Sequence, residues 1–394
     1  MFISPSHRVW LQYNRPQITS QVWHAAAWRE SKASYIRKER LLMPKRFKKL
    51  VIMIAAAVLL FAFVIPEAAA IVVYNSIFGD RYEPYAPLMF HMEDFPGLER
   101  TRYSFPSDRG QTLVGYLFRR GAEKPKGVVV ICHGLGGGGQ IDYLDCANCF
   151  AENGYWVFAY DGTGNGESEG KDVRGLPQAV IDLDYAISFV KETFSDLPVM
   201  LFGHSWGGYA AASVLQYHPD VKAVASVAGM NCSADLMRVY GKEAAGFFAD
   251  ISMPYVDLYE RLKFGKYASA AALDGFEASD AAVLIVHSED DARVPISIGY
   301  ELYYEQYADS ERFRFIRYTD RGHGYVYASQ HAVDYLDDFY AGLEACEENE
   351  KNAYVAQNLD WTLWTNRLDA ELFSEIVSLY DSTLESVPNQ DKSA

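Results

Sequence analysis

Three groups of residues in this chain have the side chains and the settings that nucleophilic catalysis requires. Ser205 lies in Gly203-His-Ser-Trp-Gly207, acids occupy positions 289–291, and His323 stands between two glycines. A serine hydroxyl is a poor nucleophile until a base takes its proton, and the base needs an anion to orient it. A serine, an acid and a histidine therefore predict acyl transfer through a covalent acyl-enzyme.

The same chemistry needs N–H donors that stabilise the oxyanion of the tetrahedral intermediate. The backbone N–H of Trp206 directly follows the candidate nucleophile. A second donor is expected from the loop at 133–139, His-Gly-Leu-Gly-Gly-Gly-Gly, whose glycines let the backbone approach a substrate closely. We take Leu135 N–H as that donor, and the chemistry requires neither a metal nor a cofactor.

The candidate residues follow segments that predict strands. The pattern predicts strands at 101–107, 111–119, 127–132, 155–160, 199–202, 221–227, 283–286 and 313–318. The first two alternate around a turn and predict an antiparallel hairpin. The later ones are apolar runs separated by helical periods, which is typical of a parallel α/β sheet. Strand 199–202, the tight turn and the helical stretch after it form the context of a nucleophile elbow. All three candidate groups follow strand ends, where open α/β sheets place their sites.

In its motifs the chain resembles the α/β-hydrolase superfamily, in particular serine hydrolases of the monoacylglycerol-lipase, esterase and serine aminopeptidase type. The resemblance covers residues 100–345. The matching motifs are His133-Gly-Leu-Gly, the loop Asp161–Ser168, the elbow at Ser205, Asp291 before Val-Pro, and Gly-His323-Gly. The resemblance implies an α/β-hydrolase fold: a mostly parallel eight-stranded sheet with an N-terminal antiparallel hairpin, helices on both faces and a helical lid.

The resemblance also implies roles for single residues. In this family the acid lies three positions before Val-Pro, which selects Asp291 over Glu289 and Asp290. The Asp161–Ser168 loop is generally structural, and Ser288 stands where the family usually has glycine. The implied catalytic residues are therefore Ser205, His323 and Asp291.

Two other classes of protein compete with this interpretation. Gly134, Gly136 and Gly139 satisfy G-x-G-x-x-G after a strand, and Asp161 follows at the end of the next strand, as in a dinucleotide-binding protein. A non-catalytic binding protein of hydrolase type would usually lack part of the Ser, Asp and His set, and all three are present here. The C-x-x-C pair at 146 and 149 has no second pair or histidine partner, so it is a weak metal or redox motif.

The N-terminal part of the chain has a composition of its own. Among 394 residues, the first 50 hold 11 basic and 2 acidic side chains, which leaves 25 basic and 50 acidic ones for the rest. An acidic main domain disfavours nucleic-acid binding. Bases at 45–49 precede an apolar stretch at 50–74, which predicts a membrane anchor with the catalytic domain on the extracytoplasmic side. Secretion after cleavage of a signal peptide is the alternative. We further hypothesise that translation begins at Met43.

The expected organisation runs from the basic segment 1–49 through the anchor or signal 50–74 and a linker 75–100 to a hydrolase domain 101–347, with a helical extension at 348–394. A lid is expected at about 229–280, because this interval is long and rich in large apolar residues. We predict a serine hydrolase of acyl or lipid-type carboxylic esters, tethered to a membrane. A peptidase or aminopeptidase of the same fold is the alternative, and no oligomeric state is predicted.

Overall fold

The computed structural model of the protein describes residues 28–32, 44–121 and 124–385. The chain divides into two compact units, Met1–Ile65 and Pro66–Ala394. We call the second unit the body. The hypothesis that translation begins at Met43 falls outside the described residues.

The body contains an eight-stranded sheet in its described residues. The strands are β1 (Glu99–Pro106), β2 (Thr112–Arg119), β3 (Val128–Cys132), β4 (Trp156–Asp161), β5 (Val199–His204), β6 (Ala223–Val227), β7 (Ala282–Ser288) and β8 (Phe313–Tyr318). Their spatial order is β1-β2-β4-β3-β5-β6-β7-β8. β2 pairs antiparallel with β1 and β4, and the other neighbours are parallel. The predicted α/β-hydrolase fold is confirmed.

Helices cover both faces of this sheet. The helices of the body are Ile65–Ile77, Leu144–Glu152, Pro177–Thr193, Trp206–Ser213, Ser233–Ala245, Phe248–Phe264, Ala272–Ala278, Tyr300–Tyr307, Gln330–Glu344, Lys351–Asn358, Trp361–Thr365 and Ala370–Glu385. Successive side chains of a strand point to opposite faces, so β3 contributes Val128, Val130 and Cys132 to one core and Val129 and Ile131 to the other. Both faces of the sheet are therefore buried, and the candidate site lies at the carboxyl ends of the strands.

Two helices between β6 and β7, Ser233–Ala245 and Phe248–Phe264, occupy the interval predicted to hold a lid. They bury Leu236, Met237 and Met253 in the same core as Val130. We call these two helices the lid.

Two segments outside the predicted 101–347 domain pack against the sheet. Segment 75–100, predicted as a linker, buries Phe90, Phe95 and Leu98 in the second core, because these side chains cover the face of the sheet that Phe118 of β2 presents. The C-terminal segment is also part of the body, since the Tyr380 hydroxyl of helix Ala370–Glu385 donates to a β5 carbonyl at 2.7 Å. Both flanking segments therefore pack on the sheet, and the domain bounds 101–347 stay a prediction.

The helix Lys45–Ile77 is 33 residues long, and its mean hydropathy reaches 2.6. It consists of Lys45–Leu59, a π-helical turn at Leu60–Val64, and Ile65–Ile77. Pro66 accounts for the turn, because proline has no N–H to bond the carbonyl four residues earlier and its ring crowds that carbonyl. By length and composition this helix could cross a membrane, although a signal sequence has the same properties. Its last turns belong to the body, where Tyr74 is buried in the first core.

Candidate active site

Ser205 lies at the turn between β5 and the helix Trp206–Ser213. Its backbone has φ 58° and ψ −118°, a conformation that a non-glycine residue keeps only where the surroundings enforce it. A Cβ on Gly203 would overlap the Gly207 carbonyl, and one on Gly207 would overlap a carbonyl at the end of β3. Both glycines are therefore required for the turn, which presents the Ser205 hydroxyl beyond the end of the strand.

The structure brings the three predicted catalytic residues together. His323 Nε2 lies 2.7 Å from Ser205 Oγ, and His323 Nδ1 lies 2.8 Å from Asp291 Oδ2. When Nδ1–H donates to Asp291, Nε2 can accept the proton of the Ser205 hydroxyl. Asp291 is buried, whereas Ser205 and His323 are partly accessible. These distances therefore fit the predicted roles of nucleophile, base and orienting anion, and the roles stay a prediction.

Asp291 accepts two backbone N–H groups and lies beside a second histidine, His287, whose Nε2 lies 2.9 Å from the Val294 carbonyl oxygen. Its Oδ1 accepts the N–H groups of Arg293 and Val294 at 2.9 and 2.8 Å, and its Oδ2 lies 3.2 Å from His287 Nε2. Burial raises the pKa of Asp291, but hydrogen bonds from His287 and His323 outweigh burial and hold this pKa well below its ordinary value. The carboxylate therefore stays ionised at neutral pH, and His287 is a contact that the sequence analysis did not find.

Ser288, which departs from the family pattern, joins the loops after β7 and β8. Its hydroxyl donates to Asp290 Oδ1 at 2.5 Å and accepts the Arg321 backbone N–H at 2.9 Å. Asp290 Oδ1 also accepts the Gly322 N–H at 2.9 Å. The serine therefore stabilises the relative position of the two loops that carry the candidate acid and base.

The predicted oxyanion donors come from the glycine loop and the elbow. Leu135 is half-buried and Trp206 is buried. The two loops are close, since a Cβ on Gly134 would lie 3.6 Å from the His204 carbonyl oxygen. Within the part of the chain that the structure describes, neither backbone N–H donates to a protein acceptor. Both groups are therefore available to a substrate oxygen, and their role remains a prediction.

A hydrogen-bond network that sequence reasoning missed links the glycine loop, the elbow and the histidine loop. The Tyr143 hydroxyl accepts the Gly134 N–H at 3.0 Å and lies 2.9 Å from His204 Nδ1. His204 Nε2 lies 2.9 Å from the His323 carbonyl oxygen. Burial lowers the pKa of His204 to about 3, so this imidazole is neutral, accepts at Nδ1 and donates from Nε2. The position of His204 beside the nucleophile was the one available signal in the sequence.

Two buried ion pairs connect the C-terminal segment to the site loops. Arg321, two positions before His323, lies 2.6 Å from Asp369. Arg367 lies 2.8 Å from Asp145, on the helix that follows the glycine loop. Because a buried charge without its partner is strongly unfavourable, these pairs fix the C-terminal segment against both loops.

The Asp161 loop is occupied by hydrogen bonds within the protein. Asp161 accepts the backbone N–H groups of Gln140 and Glu167 at 2.8 and 2.9 Å, and burial raises its pKa to about 6. The Ser168 hydroxyl donates to the Asp161 carbonyl at 2.6 Å. The sheet order also differs from the 3-2-1-4-5-6 order of dinucleotide-binding folds. The glycine motif therefore does not indicate a dinucleotide site.

The cysteines give no support to a metal or redox site. All five are free, including Cys146 and Cys149 of the C-x-x-C pair. Burial raises the pKa of Cys149 to about 12, which disfavours a reactive thiolate. Within the residues described by the structure, no group of three or more His, Cys, Asp or Glu side chains could hold a metal ion.

A protein-family model described as "Serine aminopeptidase, S33" matches residues 123–261. This range contains Ser205 and most of the lid but ends before Asp291 and His323.

Individual relatives add to this match. The uncharacterized protein YqkD of Bacillus subtilis is 24% identical over 256 residues, which are 62% of this chain and 83% of that protein. The monoglyceride lipase of Rattus norvegicus is 36% identical over 106 residues, or 25% of this chain; the match spans 34% of the lipase. A solved structure of a Pyrococcus furiosus esterase has a TM-score of 0.46 and 14% identity, and covers 71% of this chain and 98% of the esterase.

The family match, the similarity to a lipase and the sheet topology agree with one another. The chain is a serine hydrolase with the α/β-hydrolase fold. A non-catalytic binding protein and a dinucleotide-binding protein are not supported.

Proposed function

We propose that this enzyme hydrolyses carboxylic esters that carry an acyl chain, through a covalent acyl-enzyme on Ser205. The observation that carries the proposal is the pair of hydrogen bonds that link Ser205, His323 and Asp291 at 2.7 and 2.8 Å. The apolar lid and the apolar helix Lys45–Ile77 support a lipid-derived substrate. The similarity to a protein named as a monoglyceride lipase supports the same class.

In the proposed reaction, Ser205 Oγ attacks the ester carbonyl carbon while His323 Nε2 takes the serine proton. Asp291 stabilises the imidazolium, and the N–H groups of Leu135 and Trp206 donate to the oxyanion, each contributing about 3–4 kcal/mol. The imidazolium then gives its proton to the departing alkoxide, which leaves as the alcohol. Water, deprotonated by His323, attacks the acyl carbon, and the imidazolium returns this proton to Ser205 Oγ as the carboxylic acid departs.

The description of the matching family favours one second candidate, hydrolysis of aminoacyl amides. The same catalytic steps serve amides, but an aminopeptidase also needs an anion that binds the free amino group of its substrate. The buried acid of the lid, Glu260, already accepts hydrogen bonds from Tyr74 and Ser233 at 2.6 and 2.7 Å. This engagement makes it a poor amine subsite and favours the ester.

We also propose that the helix Lys45–Ile77 anchors the enzyme with its body on the extracytoplasmic side. The bases at 45–49 favour retention of that end in the cytoplasm. Burial of Ala70 and Tyr74 supports retention of the helix rather than cleavage after Ala70, because cleavage there would remove a packed residue.

The test is a substrate panel on the full-length enzyme in detergent: p-nitrophenyl esters of increasing chain length, a monoacylglycerol and aminoacyl nitroanilides. We expect kcat/KM to be higher for the esters than for the anilides. Ser205→Ala should lose at least about 10⁴-fold in kcat. The control Ser213→Ala should retain activity. Ser213 is a buried serine on the helix that follows Ser205, and its hydroxyl has no partner in the described residues. Faster turnover of the anilides, or an active Ser205→Ala enzyme, would contradict the proposal.

A further inference from the structure

The exposed large apolar side chains of the body are concentrated on two helices. Five of them, with exposed fractions of 46% to 75%, belong to the lid helix Phe248–Phe264 and the residue before it: Phe247, Phe248, Ile251, Leu258 and Leu262. Three more, Val72, Val73 and Ile77, lie on the helix Ile65–Ile77. Elsewhere in the described body, the exposed large apolar side chains are three tyrosines. A concentration of this kind marks an interaction surface.

The lid helix Phe248–Phe264 has two apolar faces. Its inner face buries residues such as Met253 and Phe264. On its outer face, four exposed apolar residues recur at spacings of three, seven and four, which keep them on one side of a helix: Phe248, Ile251, Leu258 and Leu262. The outer face of a soluble surface helix is normally polar. We call these four residues the outer stripe.

The lid is joined directly to the last turns of the apolar N-terminal helix. The Tyr74 hydroxyl donates to Glu260 Oε1 at 2.6 Å, and both groups are buried. Tyr259 and Lys263 each donate to Asn75 Oδ1 at 3.0 Å. The lid helix therefore packs on the last turns of the helix Ile65–Ile77, which carry Val72, Val73 and Ile77.

We propose that the outer stripe lies in the interfacial region of a lipid bilayer. This inference rests on the proposed anchoring by the helix Lys45–Ile77. Counted from Leu50, the roughly 20 residues that cross a bilayer core end near Ala70, four positions before Tyr74. Tyrosine is favoured where a chain leaves the hydrocarbon core. The lid helix that packs on Tyr74 then lies near the depth where an apolar helix face contacts acyl chains.

This placement identifies the route and the class of substrate. The other lid helix reaches the acid loop, because the Tyr240 hydroxyl donates to the Arg293 carbonyl at 2.8 Å, two positions after Asp291. An ester that enters beside the lid comes from the bilayer rather than from water. The favoured substrates are therefore long-chain esters of low water solubility.

The test uses the full-length enzyme in phosphatidylcholine vesicles that contain a long-chain monoacylglycerol, with p-nitrophenyl acetate as the water-soluble reference. The double variant Phe248→Asp, Leu262→Asp should lower turnover of the vesicle substrate at least about tenfold and leave acetate turnover unchanged. The control Tyr304→Asp, at an exposed tyrosine outside the lid, should change neither rate. Equal rates for the double variant and the control on the vesicle substrate would overturn the proposal. The proposal would also be overturned if the double variant changed the oligomeric mass in detergent but not the turnover of the vesicle substrate. The stripe would then be an interface between copies of the chain.

A second readout does not depend on catalysis. Tryptophan introduced as Leu262→Trp should be quenched by brominated phosphatidylcholine more strongly than tryptophan introduced as Tyr304→Trp, after subtraction of the parent signal. Stronger quenching at position 262 supports the inference even if the enzyme hydrolyses neither ester, a result that would refute the proposed function alone. Equal quenching at both positions would refute membrane docking of the lid.

Discussion

Replacement of Asp369 by alanine tests whether the C-terminal segment stabilises the body and its histidine loop. Asp369 Oδ2 lies 2.6 Å from the Arg321 guanidinium. Its Oδ1 accepts the N–H groups of Glu371 and Leu372, both at 3.0 Å, at the start of the helix Ala370–Glu385. Asp369→Ala therefore removes a buried ion pair and a helix N-cap at once.

The expected loss of unfolding free energy has these two parts. Removal of one partner of a buried pair costs about 3–5 kcal/mol, because the other charge stays buried without compensation. Loss of an N-cap costs about 1 kcal/mol. The side chains of Arg321 and Asp369 retain 9% and 11% exposure, and Arg321 also donates to the Ala328 carbonyl. We therefore take the lower end of the range and expect a total loss of about 4 kcal/mol.

The assay is urea denaturation of the full-length enzyme in detergent, followed by tryptophan fluorescence, together with ester turnover. The matched control is Glu375→Ala on the same helix, whose ion pair with Arg314 at 3.3 Å is exposed and should contribute at most about 1 kcal/mol. Asp369→Ala should also lower kcat, because Arg321 precedes His323 by two positions. Equal stabilities for the two variants would refute the reasoning.

Three further predictions concern the site and the core. Tyr143→Phe removes the hydroxyl that joins the glycine loop to His204, and steady-state kinetics should show kcat lower by about tenfold or more with little change in KM; unchanged kcat would contradict the positioning role. Burial raises the pKa of Asp182 to about 6, so the stability from this group is present at pH below the ordinary aspartate pKa and is lost as pH rises through 6. Because of this group the unfolding free energy should fall as pH rises between pH 4 and 7, and Asp182→Asn should remove that fall. An unchanged pH dependence in Asp182→Asn would contradict the assignment. Gly207→Ala should abolish ester turnover because its Cβ would overlap a backbone carbonyl, whereas Gly324→Ala, with open space around its Cβ, should stay active; equal activities would show that the elbow tolerates the methyl group.

The parts of the fold that could be predicted are those with a local signal. The strands that are buried on both faces are continuous apolar runs, and each strand of the sheet lies at a predicted position. Ser205 and His323 could be singled out because glycines stand within two positions of each in the sequence. The acid needed the family resemblance, because three acids are adjacent at 289–291.

The parts that could not be predicted depend on contacts between distant residues. Arg367 and Asp145 are separated by 222 positions, and Tyr143 and His204 by 61, so no local pattern indicates either pair. Segment 75–100 has the prolines and acids of a linker, and its buried side chains, such as Phe90, have no regular spacing. The C-terminal helix has a clear apolar face, but only the packing of the whole sheet shows that this face completes the second core.

The most direct test of the catalytic assignment is mass spectrometry of the enzyme after reaction with a fluorophosphonate. We predict one phosphonyl adduct on Ser205 in the parent enzyme and in His331→Ala, which replaces an exposed histidine away from the site. The rate of adduct formation should fall by at least about 10³-fold in His323→Ala. An adduct on another residue, or labelling of His323→Ala at the parent rate, would contradict the proposed roles of the serine and the histidine.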